Sequence, residues 1–78
     1  MDKEIKKGGL YILRARLWVT DDIWWPAKTP VRVLDRVYVP NRVKLRRLDK
    51  LVDWNSWSSP FLLREMRPLE LLALQAVL

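Results

Sequence analysis

From Leu10 to Thr20 apolar and polar side chains alternate. Tyr11, Leu13, Ala15, Leu17 and Val19 fall on one side of an extended chain, and Ile12, Arg14, Arg16, Trp18 and Thr20 on the other. A period of two with one apolar face marks a half-buried strand. It predicts a first strand after Gly8-Gly9, with Arg14 and Arg16 pointing outward. TDDIWWPAKTP (residues 20–30) breaks the alternation, and its paired acids and prolines predict a loop. Dense valine returns in VRVLDRVYVPNRVKLRRL (31–48), which predicts two or three short antiparallel strands with turns at Asp35-Arg36 and Pro40-Asn41. DKLVDWNSWSSP (49–60) reads as a second loop. FLLREMR fits either a short helix, with Ser59 as cap and Pro60 in the first turn, or a last strand. From Pro68 the sequence PLELLALQAVL predicts a helix with Glu70 in its first turn. That helix is apolar all round and needs cover on more than one side.

These elements form one domain: a frayed lead (1–8), a β region (9–67) and an apolar C-terminal helix (68–78). Four to five short strands predict a mainly β fold, a small antiparallel SH3-like barrel closed by a short C-terminal helix. Gly9 opening the first strand, PVRVLDRVYV in the middle and the closing PFLLREMRPLELL resemble the small SH3-like barrel proteins common in phages and other mobile elements. The resemblance covers most of the chain, and the helical tail departs from a bare barrel. It implies a binding module, since small barrels of that kind mostly bind protein or nucleic acid.

A chain of 78 residues buries only about 60% of the surface its unfolded form exposes. It contains no cysteine, so no disulfide helps, and stability must come from dense packing or from association. A homodimer would supply both the missing core and the cover for the helix. No apolar run approaches the roughly 20 residues that span a bilayer. MDKEIKKGG has no secretory character, so the expected address is the cytoplasm, that of the host cell if the protein is viral.

Catalytic chemistry finds few candidates. Histidine is absent as well as cysteine, which removes the commonest general base, the commonest metal ligand and any thiolate, and leaves carboxylates, lysine and serine as candidates. Asp21 and Asp22 would point apart on a strand and read as a solvated turn. Ser56, Ser58 and Ser59 have no histidine to activate them. No phosphate-binding glycine loop or zinc pattern occurs. The expectation is a binding protein, not an enzyme, with no cofactor and no metal.

The charge map is more specific. Residues 28–50 hold eight cations and two anions, which equals the whole net charge of +6. The basic character is a patch. Arg32, Arg36, Arg42, Lys44, Arg46 and Arg47 are the expected phosphate contacts on neighbouring strands, with Tyr38 and Trp18 as aromatics beside them and Arg14 and Arg16 as extensions. DNA or RNA would be held mainly by its backbone. The plainer account is that the outer face of any small sheet is polar and that cations guard edge strands.

The tryptophans point to a second kind of partner. Trp24-Trp25 and Trp54/Trp57 fall in two separate loop stretches, which an SH3-like barrel would bring to one side as a protein-binding groove. Asp21 and Asp22 would favour a cationic ligand there. The plainer account is that so small a chain needs such rings in its core. Adjacent residues of an extended segment face opposite ways, so one ring of Trp24-Trp25 is expected inside and the other toward a partner.

Overall fold

The computed structural model describes residues 4–52 and 54–77. Residues 1–3 of the expected lead, Asp53 of the second loop and Leu78 at the end of the expected helix lie outside the described residues. The strands are β1 (Leu10–Leu13), β2 (Leu17–Trp18), β3 (Trp24–Trp25), β4 (Pro30–Tyr38), β5 (Asn41–Arg47), β6 (Ser56–Ser58) and β7 (Leu63–Glu65). A 3-10 turn (Pro60–Leu62) precedes β7, and helix α1 (Pro68–Val77) follows it. Five strands form one antiparallel sheet in the order β6-β5-β4-β1-β7, and β2 and β3 pair separately. The chain is therefore mainly β with a C-terminal helix, as expected. The sheet is open, with β6 and β7 at its edges, and not a closed barrel.

The expected first strand is broken in the middle. Pairing of β1 with β4 and β7 ends at Leu13. Arg14 then donates from its backbone N to Leu62 O at 2.7 Å and from Nε to Leu63 O at 3.0 Å, and the chain bends away. The rest of the alternating run becomes β2, which pairs with β3 inside the expected loop. Thr20 Oγ1 organises the tip of this hairpin by accepting from the backbone N of Asp22 and Ile23. FLLREMR divides between both expectations: Ser59 caps the 3-10 turn with Pro60 in its first position, and Leu63–Glu65 form a strand.

Tyr11, Leu13, Trp25, Val31, Val33, Val43, Leu45 and Leu63 make the core. Val31, Val33, Val43 and Leu45 are at most 1% exposed, each gaining about 1.5–3 kcal/mol by leaving water. The chain does not turn at Asp35-Arg36. Val33 pairs with Leu45 and Asp35 with Lys44, so Leu34 is an extra residue in β4 and the strand runs on to Tyr38. Such a bulge reverses the alternation beyond it. Arg36 thus stands opposite the buried Val43, on the inner side, and Val37 stands on the outer side opposite Arg42. The turn before β5 carries a cis Val39–Pro40 bond.

Residues 5–9 belong to the fold. Ile5 packs against the core, Lys6 N donates to Tyr11 Oη at 3.0 Å, and Gly8 N donates to Val33 O at 2.7 Å. Gly8 has φ +84°, a left-handed conformation that glycine adopts without a Cβ clash. At the other end, the Arg64 guanidinium grips Glu70 through contacts of 2.7 and 2.6 Å, and Glu70 also accepts from Arg67 N at 2.9 Å. The latter contact is the reach-back half of a capping box. Arg64 stands opposite Ile12 in the register, so α1 is tied to the face that carries Ile12. Ile12 and Leu74 are both buried outside the main core cluster.

Candidate functional site

The six expected phosphate contacts divide into two sets. β5 turns Val43 and Leu45 inward, so Arg42, Lys44 and Arg46 face outward, and Arg32 joins them as the cross-strand partner of Arg46. Among the described residues none of these four cations has an ion-pair partner. Arg36 and Arg47 serve the fold. Arg36 donates from Nε to Ile5 O at 3.2 Å and from a terminal nitrogen to Val37 O at 2.7 Å and Arg42 O at 3.3 Å. Its guanidinium also lies 4.3 Å from the Tyr38 ring centre. Arg47 is paired at two points with Asp49 and has only 10% of its side chain exposed. They make poorer candidates for phosphate contact than the outward four for a physical reason: several of their donors are already bonded within the fold. The Arg47 pairing had a sequence signal, since an acid two residues on lies on the same side of an extended chain. The Arg36 contacts had none, because their acceptors are backbone carbonyls, which every residue carries, and the one on Ile5 is 31 residues away.

Arg32 and Arg46 are directly opposite each other on adjacent strands. Like charges in that relation destabilise a sheet by a few tenths to about 1 kcal/mol. Both residues are exposed, and an anion between the two would relieve the repulsion.

The expected extensions do not reach this face. Arg14 is held at the Leu63 carbonyl. Arg16 lies 4.1 Å from the Trp24 ring centre and 6.0 Å from that of Trp18. Tyr38 lies on the opposite side of the ribbon, where it donates to Glu4 at 2.6 Å. That bond is the main cause of the raised phenol pKa of Tyr38.

The tryptophans regroup as well. Trp25 is 1% exposed and belongs to the core, so it is withdrawn from the protein-binding set. Its Nε1 has no hydrogen-bond partner among the described residues. Trp24 faces out and packs obliquely on Trp18 at 6.3 Å between ring centres. Trp54 is exposed in the segment before β6. Trp57 joins the basic face: β6 pairs with β5 so that Trp57 stands opposite Lys44, and the residue is 43% exposed. Beside it Val37, Pro40, Arg42 and Trp57 line a shallow cleft of about 290 Å³. The aromatic of this face is therefore one that sequence reading assigned to a protein contact. The serine-rich segment around it hides a three-residue edge strand.

A larger cavity of about 610 Å³ is lined partly by Arg14, Arg36 and Arg64. Each of these is bonded to a carbonyl or to Glu70, and Glu4 also lines the space, so it makes the poorer anion site. Leu69, Leu72, Ala73 and Ala76 lie exposed along one face of α1. Among the described residues no cluster of three or more potential metal ligands occurs, and no helix is long and apolar enough to cross a membrane. The chain matches no protein-family model, no curated protein and no solved structure.

Proposed function

We propose that this chain is a small, non-enzymatic nucleic-acid-binding protein that holds DNA or RNA against the outer face of β4, β5 and β6, mainly by phosphate contacts. The observation that carries this reading is the outward set Arg32, Arg42, Lys44 and Arg46, unpaired with acids among the described residues and including two arginines face to face. Phosphates neutralised by such a set release counterions, so affinity falls with salt. The sheet is open, and what supports an SH3-like relationship is its strand order with the long excursion between β1 and β4 and the 3-10 turn before β7; the phage or mobile-element type and a cytoplasmic setting rest on the sequence alone.

The test is fluorescence anisotropy with labelled DNA and RNA across a salt series. Expected is binding that weakens steeply with salt. It should vanish when Arg32, Arg42, Lys44 and Arg46 become Gln in a chain whose circular dichroism is unchanged. No binding at low salt contradicts the reading.

A second reading, docking on a protein, is favoured by the exposed Trp18–Trp24 pair with Arg16 against it and by Trp54. Such a contact is apolar and would respond little to salt. A second copy of the chain covering the exposed stripe of α1 is the homodimeric form of that reading.

A further inference from the structure

Three features coincide at the β5–β6 edge. Trp57 lies on an edge strand and is nearly half exposed, where burial would have been the stabilising outcome for so large a side chain. The ring borders a cleft whose other walls are Val37, Pro40 and the Arg42 side chain, about 290 Å³ in volume. That is near the lower limit for a small-ligand site, roughly 300 Å³, and suits one flat ring system. Lys44 stands directly across from Trp57, and Arg32 and Arg46 follow along the same outer face.

An apolar slot with an aromatic wall and cations around it matches one ligand chemistry: a planar base with phosphates on both sides of it. We infer that the Val37–Pro40–Arg42–Trp57 cleft takes an unpaired base of a single-stranded nucleic acid, with the Trp57 ring as its stacking surface. The inference rests on the nucleic-acid reading above and names its substrate class. Bases of a duplex already stack on one another and offer no face to Trp57, so the cleft adds affinity only for single strands. Base-on-aromatic stacking tolerates any sequence, so little base preference is expected. The surrounding cations are sequence-blind as well.

The experiment compares labelled single-stranded DNA, single-stranded RNA, a matched duplex and an abasic oligonucleotide of equal length at low salt. The abasic strand keeps the phosphates and lacks the bases, so it tests the cleft on the unaltered protein. Both single strands are expected to bind roughly tenfold or more tightly than the abasic strand. Trp57→Ala should remove that advantage, and Trp57→Phe should restore most of it. A preference for DNA over RNA, or the reverse, identifies the source of the base and upholds the inference. If the abasic strand and the duplex bind as tightly as the single strands, the cleft inference is overturned and the phosphate reading stands. If none of the four binds, both are overturned.

Discussion

The two faces of the β4–β5 ribbon carry neighbouring residues of the same strands and have opposite environments. On the inner face Val31, Val33, Val43 and Leu45 are sealed from water. The cations at its ends, Arg36 and Arg47, are bonded to carbonyls or to Asp49. On the outer face Arg32, Arg42, Lys44 and Arg46 stand beside a half-exposed tryptophan, with no acid paired to them among the described residues. An arginine count therefore overstates the proposed binding surface of this protein. What separates a structural arginine from a candidate contact is whether its donors are already satisfied, and the bulge at Leu34 decides that for Arg36 by turning it inward.

If the faces have separate roles, substitutions should separate stability from binding. The largest stability effect is expected inside. Leu45→Ala should cost about 2–5 kcal/mol in urea unfolding, enough to leave so small a domain largely unfolded. Trp25→Phe should cost clearly less than Trp25→Ala, because both remove the indole N–H that has no acceptor among the described residues but Phe leaves the smaller cavity. Next comes Arg36→Ala. It removes donors to three carbonyls and should cost about 1.5–3 kcal/mol; a thermal melt unchanged from the parent would place Arg36 with the outer set.

A smaller effect concerns α1 and depends on pH. The Arg64 guanidinium, with the Arg67 backbone N–H, lowers the Glu70 pKa from 4.5 to about 2. A depressed folded-state pKa gives stability that is present above the unfolded value and lost as pH falls through the folded one. Glu70→Gln should therefore lower the melting temperature at neutral pH and flatten its decline between about pH 4.5 and 2. The smallest expected change is Arg46→Thr. Relieving the opposition to Arg32 should leave stability unchanged or raise it by a few tenths of a kcal/mol, with weaker nucleic-acid binding.

Much of the inner face was legible in the sequence, since Val31, Val33, Val43 and Leu45 alternate as core strands do. The bulge was not, because one extra residue reverses the alternation without any distinctive residue type to mark it. The β2–β3 hairpin was hidden for a related reason: two-residue strands are too short to show a period, and the acids at its tip dominate the local composition. The candidate site was legible as a cluster of charge and not as a geometry. Trp57 reached it through non-local pairing of β5 with β6, and Arg36 was turned from it by the bulge, toward carbonyls that no residue type marks. The division of Trp24 from Trp25 did follow from local chain geometry, because neighbours on a strand face opposite ways.

The most direct test of the separation is the salt dependence of duplex DNA binding for the parent chain, the Arg32→Gln/Arg46→Gln pair and Arg47→Gln. Each lost phosphate contact should reduce the slope of log K against log salt by about 0.9. The outer pair should therefore lower it by roughly 2 at unchanged stability, and Arg47→Gln should leave it as it was. Equal slopes in all three proteins, or a fall with Arg47→Gln matching that of the pair, would contradict the account.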